Sequence, residues 1–271
     1  MRTGSDAGRR PDAAPRAEAG AERRDGGAGA GHLWLVGLGP GGRDHLTTAA
    51  GAALAAADVV VGYKPYLELV ADLVAGKRTV ASGMRQEATR AEAAVAEATA
   101  GSRVAVISTG DAGVYGMAGL VLELLPEDST VTVDVVPGVT AASAAAACLG
   151  APLMNDFAVV SLSDLLTPLE TIERRLRAVA DGDFVIALYN PRSTRRHEPL
   201  RRALAILRAQ RAPDTPVGLV RNALRDGQET RVTTLADLRE EDVDMLTILV
   251  VGNSATLVRD GRMITPRGYR T

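Results

Sequence analysis

The sequence predicts an α/β fold built as two α/β halves that meet near residues 137–152. Three observations carry this. Short apolar runs alternate with longer helical patterns from residue 33 onward. The alternation halts at Pro137-Gly138 and then restarts. Glycine-rich or polar stretches follow directly on the apolar runs, as loops at the ends of strands would.

In chain order, Leu33-Trp34-Leu35-Val36 reads as a buried strand that runs into a glycine loop. Residues 47–57 form an alanine-rich helical stretch, and 58–62 a second strand. A strong helix is expected over 87–100, a strand over 103–108, a helix over 114–125 and a strand over 130–136. Past Pro137-Gly138, a small-residue helix over 140–149 leads to a strand over 157–161. An amphipathic helix over 168–180, a strand over 183–189 and a helix over 198–210 follow. Residues 216–220 and 246–251 are further strands. Strands separated by helices imply a largely parallel sheet covered on both faces.

Residues 1–31 contain no aromatic or β-branched aliphatic residue and show no apolar periodicity. Such a segment cannot offset the entropy of ordering and is expected to be a disordered tail. The division is therefore 1–31 tail, 32–138 N-terminal α/β domain and 139–271 C-terminal α/β domain.

Composition narrows the function classes. A hydrophobic share of 46% suffices for a core, and a net charge of −2 gives no global sign of a nucleic-acid partner. The single cysteine, Cys148, cannot form an internal disulfide. His32, His45 and His197 are too scattered for a structural zinc site, and no metal is expected. The longest uncharged run, residues 135–155, approaches the ~20 residues that span a bilayer. Pro137-Gly138 and Pro152 interrupt it, and no hydrophobic signal region opens the chain. The expectation is a cytoplasmic protein with no membrane partner.

Gly37-Leu38-Gly39-Pro40-Gly41-Gly42 fits G-x-G-x-x-G after a strand, which makes a dinucleotide-binding oxidoreductase a candidate. Pro40 argues against it by removing one amide from a loop that should cradle a pyrophosphate. The acidic residue at ribose distance, Asp58, also precedes the second strand instead of following it.

G-x-G-P-G directly after the first strand resembles the opening motif of the tetrapyrrole methylases. Ser108-Thr109-Gly110-Asp111-Ala112-Gly113-Val114-Tyr115-Gly116 resembles that family's second loop. Val135-Val136-Pro137-Gly138-Val139-Thr140-Ala141-Ala142 resembles its inter-domain segment. The resemblance spans residues 33–252. Further segments, among them Gly62-Tyr63-Lys64-Pro65-Tyr66-Leu67, Ser82-Gly83-Met84-Arg85-Gln86-Glu87 and Tyr189-Asn190-Pro191-Arg192-Ser193, resemble the branch that methylates C17 of precorrin-3B and contracts the ring to precorrin-4 in cobalamin synthesis.

The resemblance implies two α/β domains of the tetrapyrrole methylase type with the ligand cleft between them, a homodimer, S-adenosyl-L-methionine as methyl donor and a tetrapyrrole substrate. A sister methylase acting at another carbon or on a cobalt-loaded substrate, and a non-catalytic binding module, remain alternatives. By resemblance, Pro40, Thr109, Gly110, Asp111, Val114, Thr140 and Ala141 line the donor site, with Tyr189 and Asn190 closing over it. Gly37, Gly39 and Gly41 would let backbone approach the donor. Asp111 is either a ligand to donor hydroxyl or amino groups or a cap for the helix from Val114, and Thr140 is equally an N-cap.

A substrate rich in carboxylates suits arginine, and Arg85 and Arg192 are the favoured contacts; Arg195 and Arg196 fit a solvated helix face as well. Ring contraction needs proton transfer, for which Glu87, Asp164, Tyr63 and Tyr115 are candidates. Glu87 would equally serve as the start of a helix, and Asp164 as a turn residue.

Overall fold

The computed structural model describes residues 31–269. The tail expected over 1–31 lies outside the described residues except for Gly31.

The first half runs β1 (His32–Gly37), α1 (Thr48–Ala56), β2 (Val59–Tyr63), α2 (Lys64–Leu69), β3 (Arg78–Ser82), α3 (Glu87–Thr99), β4 (Arg103–Ser108), α4 (Ala118–Leu124) and β5 (Thr132–Val136). The second half runs α5 (Ala141–Leu149), β6 (Gly150–Ala151), β7 (Phe157–Ser161), α6 (Leu169–Asp181), β8 (Val185–Tyr189), α7 (Glu198–Gln210), β9 (Pro216–Arg221), β10 (Glu229–Thr234), β11 (Thr247–Val251), β12 (Leu257–Arg259) and β13 (Arg262–Ile264).

The first sheet has the order β3-β2-β4-β1-β5 and is parallel throughout. Its central strands are apolar at almost every position because both faces are covered. Leu33, Leu35, Val61 and Val106 pack against Ala91, Ala94 and Ala98 of α3. Val36, Val60 and Ile107 pack on the other side against Ala50, Ala53 and Leu54 of α1. Thr47 starts α1, its hydroxyl accepting the Ala50 N–H at 3.1 Å.

The second sheet has the order β10-β9-β11-β8-β7. Only β7 and β8 pair in parallel; β8–β11, β11–β9 and β9–β10 are antiparallel. The parallel sheet expected from the alternation is therefore correct for the first half and is corrected for the second. The connection between β9 and β10 is too short for a crossover, so these strands form a hairpin. On one face Ile172, Leu176 and Ala180 of α6 and Leu200, Leu204 and Leu207 of α7 form the core. On the other, Ala142, Ala145 and Leu149 of α5 lie over Val185, Val220 and Val250. A small third sheet, β12-β13-β6, turns at Asp260-Gly261, both with positive φ, and buries Met263 under α5.

Two edge strands, β3 and β10, are not predicted by the sequence. Both are largely exposed and polar, so neither carries an apolar run. The short α2, with proline in its first turn, was also missed. The helix expected over 114–125 begins only at Ala118, because residue Tyr115 adopts φ 54° and breaks the helical path. Among the described residues, no helix is long and apolar enough to cross a membrane.

Candidate active site

The carboxyl ends of β1, β4 and β5 are locked together through backbone. Leu38 N–H donates to the Ser108 carbonyl at 2.8 Å, and Gly39 and Gly110 exchange hydrogen bonds of 2.9 and 2.7 Å. A Cβ on Gly37 would lie 2.7 Å from the Gly138 nitrogen, and one on Gly138 would overlap the Gly110 carbonyl oxygen. Gly37, Gly110 and Gly138 thus let three chain segments touch one another. The sequence suggests close ligand approach at these glycines; for Gly37 the close neighbour is protein backbone. Gly41 (φ 129°) and Pro40 are covered from the second half by Arg225, whose Nε donates to the Pro40 carbonyl.

Asp111 fastens two loops. Its Oδ1 accepts the Gly113 N–H at 2.8 Å and its Oδ2 accepts the Gly138 N–H at 2.9 Å. The helix it was to cap starts four residues beyond Val114, so that alternative does not apply. Val114 is half-buried, its N–H directed at the Asp111 carbonyl at 3.4 Å. Thr109 is also half-buried, between Ser108 and the Gly39–Gly110 bridge.

Across from these loops stands Tyr189, at the end of β8. Its hydroxyl lies 2.6 Å from Thr140 Oγ1 and accepts the Ala142 N–H at 2.7 Å. Tyr189, not Thr140, therefore supplies the cap of α5; the Thr140 side chain makes no capping bond. Burial pushes the Tyr189 phenol above its ordinary pKa, partly opposed by these two hydrogen bonds. Ala141 opens α5 beside it. Asn190 takes φ 49° and donates Nδ2–H to Ser161 Oγ at 3.1 Å. Tyr115 crosses from the first half to the second: its hydroxyl donates to the Val159 carbonyl (3.3 Å) and accepts the Ser161 N–H (3.0 Å). Its ring stands 5.3 Å from that of Tyr189. The donor-site residues named from sequence thus converge from both halves.

Among the described residues, no hydrogen bond or ring contact joins the proton-transfer candidates to one another. Tyr63, at the end of β2, meets Tyr66 edge-on at 5.1 Å. Glu87 is the exposed first residue of α3, the helix-start position the sequence offered as an alternative. Tyr115 is occupied with β7, and Asp164 faces Arg196 Nε at 3.9 Å. The two arginines also differ. Arg85 is exposed, with φ 64°. Arg192 points into its own half, Nε to His197 Nδ1 at 2.7 Å and a terminal nitrogen to the Glu240 carbonyl at 2.6 Å. Arg196 donates to the carbonyls of Leu162 and Asn190 at 2.6 and 2.7 Å instead of lying on a solvated helix face.

Arg90 and Arg225 went unnoticed in the sequence. A signal existed for Arg90: it falls on the same helical face as Ala91, Ala94 and Ala98, the buried stripe of α3. Arg225 had none, because its partner loop lies in the other half of the chain.

Comparison with known proteins sets this geometry in a family. Residues 32–239 match the model of the tetrapyrrole (corrin/porphyrin) methylases. The chain is 51% identical over 238 residues to a probable cobalt-factor III C(17)-methyltransferase of Salmonella typhimurium, covering 88% of this chain and 99% of that protein. It is 49% identical over 245 residues to the cobalt-factor III methyltransferase of Priestia megaterium, covering 89% of this chain but only 45% of that longer protein. The crystal structure of the methyltransferase CobJ superposes with a TM-score of 0.81 at 41% identity, covering 87% of this chain and 98% of the other. A uroporphyrin-III C-methyltransferase from Thermus thermophilus, complexed with S-adenosyl homocysteine, superposes with a TM-score of 0.62 at 26% identity over 82% of this chain and 97% of the other. The chain belongs to the tetrapyrrole (corrin/porphyrin) methylases.

Proposed function

We propose that the protein is an S-adenosylmethionine-dependent C-methyltransferase that methylates C17 of a tetrapyrrole in cobalamin synthesis. The observation that carries this is the 51% identity to a C(17)-methyltransferase covering 99% of that relative's length. The G-x-G-x-x-G match at residues 37–42 is read within that family, and the dinucleotide reading falls away. Precorrin-3B, contracted to precorrin-4, is one substrate form; the cobalt-loaded factor III is the other. The relatives at 49–51% identity carry the cobalt-factor name, which favours the cobalt-loaded form.

The site suits the donor. Around the loop junctions stand backbone amides, the Thr140 and Tyr189 hydroxyls and the Asn190 amide, with the Asp111 carboxylate and the Arg225 guanidinium beside them, a polar lining for an amino acid joined to a nucleoside. Pro40, Gly41, Thr109, Gly110, Val114, Thr140, Ala141, Tyr189 and Asn190 are the proposed donor contacts, with Gly37, Gly39 and Asp111 holding the loops in register. When bound, S-adenosylmethionine supplies a sulfonium-activated methyl group, so that step needs alignment more than a strong base. The tetrapyrrole is proposed to lie at the carboxyl ends of β2 and β3, where Tyr63 ends β2 and Arg85 follows β3, while Arg192 fastens a loop. Tyr63, Glu87, Tyr115 and Asp164 are the proton-transfer candidates for ring contraction. The domain division at 138, a homodimer and a cytoplasmic location belong to the same reading.

Isothermal titration with S-adenosylmethionine, S-adenosylhomocysteine and a nicotinamide dinucleotide tests the donor, followed by turnover of cobalt-factor III and precorrin-3B. Saturable donor binding with a C17-methylated product is expected. Dinucleotide binding without donor binding would overturn the reading.

A further inference from the structure

Arg90 is the internal cation of the first half. It is only 4% exposed, and no carboxylate pairs with it among the described residues. Its Nε donates to Ser82 Oγ at 2.7 Å and one terminal nitrogen to the Gly83 carbonyl at 3.1 Å. The other terminal nitrogen lies 3.4 Å from Met117 Sδ, and the guanidinium carbon stands 5.9 Å from the Tyr63 ring centroid. Burying a charge without a counter-charge is costly, so stability alone does not account for it.

What these contacts join is informative. Tyr63 ends β2, Ser82 ends β3, and Met117 immediately precedes α4, the helix after β4. In the order β3-β2-β4-β1-β5 these are three adjacent strands, and their carboxyl ends are where ligands bind in such sheets. The proposed donor loops follow β1, β4 and β5, so the Arg90 cluster covers the β3–β2 flank and meets the donor side only at Met117, in the segment after β4. From that flank the loop of residues 83–86 projects Arg85, exposed and held at φ 64°.

We infer that Arg90 is a positioning residue for the tetrapyrrole: it sets Tyr63 and the Arg85 loop in place for a carboxylate-bearing macrocycle and takes no part in holding the donor. The planar fork matters, since its three nitrogens reach three separate acceptors, whereas a lysine presents all its donors from one point. The inference rests on the proposed methyltransferase reading.

The test compares wild type with Arg90→Lys, Arg90→Met and the milder Ser82→Ala, which keeps the arginine. Three quantities are read: KM and kcat with the tetrapyrrole, affinity for S-adenosylhomocysteine by calorimetry, and affinity for uroporphyrin III, a polycarboxylate tetrapyrrole, by fluorescence quenching. Arg90→Met and Arg90→Lys should each weaken uroporphyrin III binding and raise KM at least tenfold, and Ser82→Ala severalfold. S-adenosylhomocysteine affinity should stay within twofold in all three. A parallel fall in both affinities, or unchanged tetrapyrrole binding in the folded variants, overturns the inference. Should wild type turn over neither tetrapyrrole, the methyltransferase reading fails, while the two binding measurements still decide the role of Arg90.

Discussion

The hydroxyl of Tyr189, at the end of β8, accepts the backbone N–H of Ala142, 47 residues earlier, at 2.7 Å and so caps α5. The same oxygen lies 2.6 Å from Thr140 Oγ1, which joins the start of α5 to the second sheet. Removing it by Tyr189→Phe leaves the amide unpaired while the ring stays in place. A loss of about 1 kcal/mol is expected, seen as a lower urea midpoint with an unchanged slope. An unchanged midpoint would mean the cap is replaced by water.

The pH dependence of that residue follows from its setting. Burial holds the Tyr189 phenol above its ordinary value, outweighing the hydrogen bonds from Ala142 and with Thr140. The folded state therefore keeps the proton longer than the unfolded chain. Its contribution is complete below the unfolded tyrosine pKa of about 10 and is lost as pH climbs above that toward the folded value. Phenolate absorbance during alkaline titration should show a late component that Tyr189→Phe abolishes. If the component persists in that variant, another tyrosine carries it.

Asp111 offers a second test, because both its oxygens accept backbone N–H groups. Asparagine can present only one acceptor, and its NH2 would face the other donor. Asp111→Asn should therefore behave much like Asp111→Ala. Each should lose roughly 2 kcal/mol of stability and bind S-adenosylhomocysteine about tenfold more weakly. Full donor affinity in Asp111→Asn would contradict the two-amide clamp.

Two glycines should respond in opposite directions. A Cβ at Gly138 would overlap the Gly110 carbonyl and press on Gly37, backbone that cannot step aside. Gly138→Ala should cost roughly 3 kcal/mol or more. Gly119, in the first turn of α4, has no neighbour within 4 Å of its would-be Cβ. Gly119→Ala should stabilise by about 0.5–1 kcal/mol. Thermal melts of the two variants check both signs at once.

Arg192 separates a fastener from a substrate contact. Its bonds to His197 and the Glu240 carbonyl tie the start of α7 to the loop before β11. Arg192→Ala should lose about 1–3 kcal/mol, with the stability loss outweighing any rise in KM for the tetrapyrrole. A large rise in KM at unaltered stability would return Arg192 to the substrate.

Much of this molecule is written in short stretches of its sequence. Strands β1, β2, β4, β8 and β11 were legible because each is buried on both faces and so reads as an unbroken apolar run. Helices α3, α6 and α7 were legible because their apolar residues recur at helical spacing. The loops after β1, β4 and β5 were legible as motifs of glycine, proline and aspartate, and the donor-site residues named from them do converge. Tertiary structure alone decided the rest. The exposed strands β3 and β10 exist only as edges paired to neighbours, and a polar edge carries no periodic signal. The partners of Asp111, 27 residues away, and of Tyr189, 47 residues away, depend on which strand ends come together. Apolar pattern and turn chemistry act over a few residues; hydrogen-bond partnership acts over distances that only sheet order and packing set.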